Sequence, residues 1–207
     1  CLGRKGDTII YDQLIHASIR DGVRLSAAQS FSFAHNDVAD LEKKLNNAAG
    51  NIFVAVESVY SMDGDMAPLH DIATLCEQYG AHLIVDEAHA TGIIGDAGEG
   101  LVQLLQLENK CFARIHTFGK AVGCHGAVVL SSGILRDYLI NFSRSFIYTT
   151  ALPPASIAAI EAGYAAFPYM QEAREHLSAL IAQFRAALTQ VEVLPGATPI
   201  QAVLTRG

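Results

Sequence analysis

The sequence predicts an α/β domain with a mostly parallel sheet flanked by helices, followed by the start of a smaller C-terminal domain. Short apolar runs alternate with helical periodicity through the first two thirds of the 207 residues, which is typical of βαβ units. The chain is 51% hydrophobic and 17% charged, so it can bury a substantial core. A long amphipathic pattern then precedes a last apolar run at 200–204, which we assign to the second domain.

Short, nearly continuous apolar runs predict the strands, because strands of a parallel sheet are buried on both faces. In the first 130 residues these runs lie at 8–11, 52–56, 83–85, 112–117 and 127–130. The two last runs flank a Gly-rich turn. We therefore expect that turn to lie at one edge of the sheet, together with the polar residues that follow the other strands.

Helical spacing and helix-end residues predict the helices. They are expected at 12–21, ended by Gly22; from a cap at Asn36 through Leu45; from Pro68 to Gly80; and at 134–142, 154–167 and 177–188. Pro68 is suited to a helix start and Gly80 to a helix end.

Composition and charge argue against several classes of protein. A net charge of -7 and the lack of Lys/Arg clusters argue against a nucleic-acid partner. No apolar run approaches the ~20 residues that a membrane helix needs. The four cysteines are widely spaced, with no CxxC pair, which suits a reducing compartment, and the expected location is the cytoplasm.

A carboxylate and an imidazole follow the strand predicted at 83–85. Asp86 ends the run and His89 comes three residues later, so both can face one ligand. The alternative is that Asp86 caps the next helix and His89 is a surface histidine. Asp-Glu-Ala-His also spells a helicase box, but the chain has no GxxxxGK[ST] phosphate loop. A metal site lacks further ligands at the usual spacing.

A lysine flanked by glycines follows the strand predicted at 112–117. Lysine is almost never fully buried unless it is paired or reacted, so Lys120 in HTFGKAVGCHGA is a candidate nucleophilic amine. The alternative is a solvated lysine beside a flexible turn. The segment from Glu57 to Asp65 also follows a strand, but its sequence is more typical of a loop than of a site. Taken alone, His16 is more typical of a residue that packs against the fold than of a functional residue.

In order along the chain, several motifs resemble the α-oxoamine synthases, which are fold-type I pyridoxal 5'-phosphate (PLP) enzymes. They are LIHAS, FAHNDVADLE, ESVYSMDGD, IVDEAHATGIIGDAGEG, HTFGKAVGCHGA, FIYTTALPP and the late PIQ. Each is weak alone, but the ordered set is specific and covers nearly the whole chain. FAHND, TTALPP and PIQ favour the 8-amino-7-oxononanoate synthase branch, of biotin biosynthesis, over 2-amino-3-ketobutyrate ligase.

The resemblance implies a role for each site residue. Lys120 matches the lysine that holds PLP as a Schiff base, and Asp86 matches the carboxylate beside the pyridine nitrogen. His89 matches the residue that hydrogen-bonds the phenolic oxygen, and His16 the imidazole that stacks on the ring. The remaining cofactor contacts implied are Ser61, Thr117 on the phosphate side, and Thr149 or Thr150 acting across a dimer interface.

The resemblance also implies the reaction, the partners and the domains. L-alanine and a pimeloyl thioester would condense with loss of carbon dioxide, in a homodimer with shared active sites. Glycine C-acetyltransferase and serine palmitoyltransferase activities, or a non-catalytic relic of the fold, remain alternatives. Residues 1–170 are expected to form the PLP-binding large domain and residues 171–207 a linking helix and the start of the small domain. We expect the chain to be a fragment that lacks the upstream phosphate-contacting segment and much of the C-terminal domain.

Overall fold

A six-stranded sheet forms the core of the fold in a computed structural model that describes residues 1–205. Its strands are β1 Thr8–Asp12, β2 Gln29–Phe33, β3 Ile52–Glu57, β4 His82–Asp86, β5 Cys111–Thr117 and β6 Ala127–Ser131. Their order across the sheet is β2-β1-β3-β4-β5-β6. Strands β1 to β5 are parallel and β6 is antiparallel to β5. The predicted α/β class with a mostly parallel sheet is confirmed.

Helices connect the strands and then make up most of the remaining chain. Within the described residues they are α1 Ala17–Arg24, α2 Val38–Leu45, α3 Leu69–Tyr79, α4 Leu101–Leu104, α5 Gly133–Phe142, α6 Arg144–Ile147, α7 Pro154–Ala166 and α8 Gln171–Ala187. After α8, β7 Glu192–Val193 and β8 Val203–Leu204 form a separate antiparallel pair. The last predicted strand therefore exists, although it begins at Val203.

Strand β2 is absent from the sequence prediction. Its five residues, QSFSF, pair in parallel with β1 at the edge of the sheet. Four of them are exposed and only Phe33 is buried. An edge strand that faces water has no need of the continuous apolar run by which the other strands were found.

The prediction of a helix over 12–21 is wrong at both ends. Asp12 is the last residue of β1, and its Oδ1 accepts a hydrogen bond from the backbone N–H of Leu14 at 2.8 Å. The helix α1 begins only after His16, whose Nδ1 accepts a hydrogen bond from the Ser18 N–H at 3.2 Å. Gly22 lies inside α1, which continues to Arg24, so a glycine was mistaken for a helix end.

The predicted cap of α2 is also corrected. Asp37 is the N-cap, with its side chain accepting a hydrogen bond from the Asp40 N–H at 2.9 Å. Asn36 instead adopts a φ of 55° and donates its backbone N–H to Asp12 Oδ2 at 2.9 Å. Asparagine tolerates this left-handed conformation better than most residues, so it suits a turn here rather than a cap.

One continuous core lies between the sheet and α2 and α3. The prediction for α3 is confirmed, because Pro68 precedes it and Gly80, with φ 63°, ends it. The most deeply buried residues of the core include Ile10, Phe33, Leu41, Val54, Val56, Leu69, Ile72, Leu83 and Val85. Each fully buried aliphatic side chain contributes about 1.5–3 kcal/mol, so this core dominates the stability of the sheet.

The C-terminal part of the chain is held to the rest by a few specific contacts. Neither α7 nor α8 contains a buried residue. The Thr198 hydroxyl donates to the carbonyl oxygen of Gly64, in the loop after β3. Arg185 on α8 donates to the carbonyl oxygens of Leu194 and Gly196 at 3.0 and 3.1 Å. The segment 194–200 is thus tied both to α8 and to that loop.

Across residues 1–205, none of the helices has both the length and the apolar character required to cross a membrane.

Candidate active site

Two buried carboxylates lie side by side at the carboxyl ends of β3 and β4. Glu57 and Asp86 are paired in register, and their residues are 2% and 8% exposed. The carboxyl ends of parallel strands meet at one edge of a sheet, where ligands of open α/β folds bind. The strand-end rule led to this same edge. It did not single out Glu57, whose importance depends on this pairing.

Asp86 combines a structural and a potential functional role. Its Oδ1 accepts a hydrogen bond from the backbone N–H of Ala88 at 2.9 Å, so the capping alternative is partly correct, although a turn rather than a helix follows. Burial raises the pKa of Asp86, and the Ala88 N–H and the positive charges of Lys120 and His16 offset part of that increase. Burial therefore disfavours the ionised form of Asp86 on balance, while the Ala88 N–H and the nearby positive charges stabilise that form in part.

Glu57 lies beside the two segments that carry His16 and Ser61. Its Oε2 accepts a hydrogen bond from the Ser61 N–H at 3.2 Å. Burial raises the pKa of Glu57 to about 7, as does the charge of Asp86, while the backbone N–H groups of His16 and Ser61 act in the opposite direction. Of the two neighbouring carboxyl groups, Glu57 is therefore suited to carry a proton near neutral pH.

His89 is half-buried in the turn that follows β4. Burial lowers its pKa to about 4, with the positive charges of Lys120 and His16 contributing in the same direction. The imidazole is therefore neutral near pH 7 and has one donor and one acceptor nitrogen. Its electrostatic coupling to Lys120 and His16 shows that these three predicted residues lie in one neighbourhood.

Lys120 lies in a turn closed by backbone hydrogen bonds between β5 and β6. Phe118 N–H donates to the Gly126 carbonyl at 2.9 Å, and Cys124 N–H donates to the Phe118 carbonyl at 2.7 Å. The side chain of Phe118 is buried, whereas Lys120 is exposed. The turn is thus anchored, and the amine is accessible rather than desolvated as the sequence argument assumed.

Thr117 ends β5 three residues before Lys120, and its Oγ1 is a buried hydroxyl with no hydrogen-bond partner among the described residues. A buried hydroxyl without a partner costs free energy, so it is suited to bind a ligand.

Thr149 and Thr150 are exposed. The Thr149 hydroxyl donates to the Ser145 carbonyl, and within residues 1–205 neither threonine hydrogen-bonds another predicted site residue. Their segment approaches the lysine turn through Leu152, which packs against Gly126.

His16 and Ser61 lie at the ends of loops on the same edge. His16 is exposed, and its Nδ1 also lies 2.8 Å from the hydroxyl of Ser18. Ser61 is partly buried, directly after the buried Tyr60. Both are brought near Glu57, so the predicted residues His16, Ser61, Asp86, His89 and Lys120 converge, whereas Thr149 and Thr150 lie apart.

A second group of buried polar side chains lies beside the ends of β4 and β5. Glu87 is fully buried and accepts a hydrogen bond from the Val102 N–H at 2.9 Å. Its Oε2 lies 3.4 Å from Nε2 of His116, whose Nδ1 is 2.9 Å from the hydroxyl of Tyr164. Glu87 and His116 directly follow and precede the site residues Asp86 and Thr117, so they help to fix the ends of β4 and β5.

This set of side chains fits the cofactor that the sequence suggested. A PLP molecule presents an aldehyde, a basic ring nitrogen, a phenolic oxygen and a phosphate. Lys120, Asp86, the neutral His89 and the unpaired Thr117 hydroxyl supply complementary groups, in that order. In the part of the chain that the structure describes, no three His, Cys, Asp or Glu side chains are grouped to hold a metal ion.

Known proteins resemble the chain closely in sequence. It is 45% identical over 200 residues to an 8-amino-7-oxononanoate synthase of Emericella nidulans, covering 88% of this chain and 48% of the relative. It is 44% identical over 206 residues to the corresponding protein of Marinobacter nauticus, covering 98% of this chain and 52% of the relative. The chain therefore spans about half the length of the curated relatives it matches.

Solved structures share the fold. A serine palmitoyltransferase of S. paucimobilis bound to PLP and myriocin superposes with a TM-score of 0.92 at 32% identity, covering 100% of this chain and 55% of that one. An 8-amino-7-oxononanoate synthase of Francisella tularensis superposes with a TM-score of 0.88 at 31% identity, covering 100% and 61%. These neighbours confirm the resemblance to the α-oxoamine synthases.

The family assignment rests on nearly the whole sequence and not on single motifs. The pattern of the family "Aminotransferase class I and II" matches residues 1–204, which includes every strand of the sheet and every residue of the candidate site. The chain belongs to the aminotransferase class I and II family.

Proposed function

We propose that the protein containing this chain is a PLP-dependent acyltransferase of biotin biosynthesis. It would condense L-alanine with a pimeloyl thioester, with loss of carbon dioxide, to form 8-amino-7-oxononanoate. The observation that carries the proposal is the convergence of Lys120, Asp86, His89 and His16 at the carboxyl edge of the sheet. Relatives of 44–45% identity that bear this activity in their names support the choice of reaction.

The site residues would hold the cofactor by complementary chemistry. Bound PLP supplies an electron sink for a carbanion at the substrate Cα. Asp86 is suited to pair with a protonated ring nitrogen, because it is buried beside positive charges. His89, neutral because of its lowered pKa, can donate to the phenolic oxygen. We assign ring stacking to His16, a further polar contact to Ser61, and the phosphate side to Thr117.

Lys120 is the residue that we assign to covalent attachment and proton transfer. Its amine is exposed on an anchored turn, so a substrate amine can reach the same position. Once free, the Lys120 amine can accept the Cα proton of alanine and later return it. Glu57 can keep a proton beside Asp86, which lets Asp86 remain charged.

Assembly, domains and location complete the proposal. A homodimer would let the exposed Thr149 or Thr150 contact the cofactor phosphate of the partner subunit. Residues 1–170 would form the large domain, and residues 171–207 would lead into the small one; Arg206 and Gly207 of this second unit lie outside the described residues. We place the enzyme in the cytoplasm, because its four cysteines are widely spaced and include no CxxC pair, which suits a reducing compartment.

Cofactor attachment is tested by adding PLP to the protein with its complete natural sequence and recording the visible spectrum. We expect a new visible band that survives gel filtration. Lys120→Ala should abolish the band and lower turnover by roughly two to four orders of magnitude, since the general base is removed. The matched control Lys43→Ala, at an exposed position of α2, should change neither. A Lys120→Ala protein with an unchanged band and rate would refute the assignment, and an unmodified protein without a band would favour the non-catalytic relic.

A second candidate activity is a condensation that starts from serine. Several serine palmitoyltransferase structures share the fold at 32–33% identity, with TM-scores up to 0.92. The higher identity to relatives named 8-amino-7-oxononanoate synthase favours the first proposal. Thioester consumption measured with alanine, glycine and serine in parallel, each with pimeloyl and palmitoyl thioesters, separates the candidates. Faster turnover of serine with the palmitoyl thioester would replace our proposal.

A further inference from the structure

The histidine of the FAHND motif bridges two carboxylates at the same edge of the sheet. His35 Nδ1 lies 2.9 Å from Asp12 Oδ1, and His35 Nε2 lies 2.8 Å from Asp65 Oδ2. An ionised carboxylate can only accept hydrogen bonds, so each ring nitrogen must donate to satisfy both. Only the imidazolium form of His35 donates from both nitrogens at once.

The residue after His35 connects the same two carboxylates a second time. Asn36 donates its backbone N–H to Asp12 Oδ2 at 2.9 Å and its side-chain Nδ2 to Asp65 Oδ2 at 2.7 Å. The ring of Tyr60 packs against His35, edge to face, with centroids 4.5 Å apart. We call Asp12, His35, Asn36 and Asp65 together the His35 clamp.

The surroundings of the clamp favour a charged His35. Side-chain exposure is 0% for Asp12, 18% for His35 and 29% for Asp65, so water screens these contacts only in part. Burial opposes the charged imidazole, but the hydrogen bonds and charges of Asp12 and Asp65 outweigh it and raise the pKa of His35. The other titratable group that faces the ring is Tyr60, which burial and the same carboxylates keep neutral by raising its pKa.

The clamp joins two segments that both lead to the candidate site. Asp12 ends β1 four residues before His16, and Asp65 follows Ser61 by four residues. Glu57 lies beside the same two segments, because its Oε2 accepts a hydrogen bond from the Ser61 N–H at 3.2 Å and the backbone N–H of His16 acts to lower its pKa. His16 and Ser61 are therefore on short segments that the His35 clamp holds together at one end, with Glu57 close to both at the other.

We propose that His35 is a positioning residue that sets the separation of His16 from Ser61 and thereby shapes the cofactor site. The inference rests on the proposed PLP function. His35 is 23 residues from Asp12 and 30 residues from Asp65. Neither the motif resemblance nor the strand-end rule assigned it a role. Without the clamp, the loop that carries Ser61 can move away from β1, and the cofactor is held less tightly and in a less defined orientation.

The principal test compares His35→Asn with His82→Asn in the protein with its complete natural sequence. Asparagine at position 35 keeps a donor near the Nδ1 position but cannot also reach Asp65. His82 is the matched control, because it also packs against aromatic rings, Phe53 and Phe112, but at the opposite end of the sheet. We expect His35→Asn to weaken PLP binding by roughly tenfold or more and to change the circular dichroism of the bound cofactor. His82→Asn should leave both unchanged within about twofold.

A pH series separates positioning from a general loss of stability. The clamp gains its strength from protonated His35, whose pKa is raised, so its contribution is complete below the ordinary pKa of 6.5 and is lost as the pH rises through the raised value. The ratio of the PLP dissociation constants of His35→Asn and the unmodified protein should thus be largest near pH 6 and approach one at high pH. Ionisation elsewhere in the site affects both proteins and cancels in the ratio.

A second variant keeps the inference testable if His35→Asn does not fold. Asp65 is partly exposed, so Asp65→Asn is expected to fold, and it should weaken PLP binding in the same direction with the same pH dependence. Equal PLP affinity and dichroism in His35→Asn, Asp65→Asn and unmodified protein would overturn the positioning role while leaving the proposed cofactor intact. Absence of PLP binding by the unmodified protein would refute the proposed function, and this inference with it.

Discussion

The two ends of this chain are built in opposite ways. From β1 to β5 the strands and α3 enclose fully buried aliphatic residues, and the carboxylates Glu57 and Asp86 are buried with them. Neither α7 nor α8 contains a buried residue, and large apolar side chains such as Leu180 and Phe184 are exposed. The acidic half of the candidate site therefore belongs to the rigid part of the fold.

This contrast also divides the candidate site itself. Asp86, Glu57 and Thr117 end strands, so the sheet determines their positions. Lys120, Thr149 and Thr150 lie in exposed segments outside the strands. A site made in this way holds its carboxylates in place through the sheet, while Lys120 and the two threonines, to which we assign reaction and partner contact only as a proposal, remain accessible.

The largest expected effect compares a core leucine with one on α8. Leu41→Ala should lower the free energy of unfolding by about 2–5 kcal/mol, because Leu41 is fully buried and its loss leaves a cavity. Leu180→Ala, at a position that is 47% exposed, should change it by less than about 0.5 kcal/mol. Urea unfolding measures both. A comparable loss for Leu180→Ala would show that another segment or subunit covers α8.

The next effect concerns buried and exposed glutamates. The pKa of Glu57 is raised from 4.5 to about 7, so folding disfavours its ionised form, and the stability of the native protein falls as the pH rises through this range. Between pH 4.5 and pH 8, we expect the unmodified protein to lose about 3 kcal/mol relative to Glu57→Gln, which cannot ionise. The control Glu161→Gln, on the exposed face of α7, should track the unmodified protein at both pH values. Parallel pH profiles for Glu57→Gln and the unmodified protein would contradict the burial argument.

A smaller effect is expected where the two regions meet. Gly64 has φ 75°, and a Cβ there would overlap the carbonyl oxygen of Ile200. Gly64→Ala should therefore cost about 1–3 kcal/mol and loosen the C-terminal segment. Gly133→Ala is the matched control, because nothing lies within 4 Å of the added methyl group and φ is not positive. Thermal unfolding with limited proteolysis after α8 reports both changes; equal results for the two variants would mean that the contact is dispensable.

The smallest effect tests the corrected end of α1. Gly22 is inside the helix, its φ is not positive, and no atom lies within 4 Å of an added Cβ. Gly22→Ala should stabilise the protein by about 0.5–1 kcal/mol, because alanine favours helix and restricts the unfolded chain. If Gly22 were a left-handed helix end, as the sequence suggested, the same substitution would destabilise it. The sign of the change in melting temperature decides between the two.

Local sequence signals were sufficient for those helices and strands that have a helix-end residue or a continuous apolar run within their own segment. Pro68 and Gly80 mark both ends of α3, and the apolar runs of β3 and β4 identify buried strands. The same rules failed for β2, whose exposed residues have no apolar run, and for α1, where a glycine lies within the helix. Lys120 and Asp86 could be proposed from the sequence because Asp86 ends one predicted strand region and Lys120 comes three residues after another.

Contacts between distant segments account for what the sequence could not reveal. Glu57 matters because register places it beside Asp86, and His35 because its carboxylate partners are 23 and 30 residues away. Short-range periodicity and capping are properties of neighbouring residues, so they can be read along the chain. Burial, proton affinity and bridging hydrogen bonds depend on which segments pack together, and those are established only when the sheet is assembled.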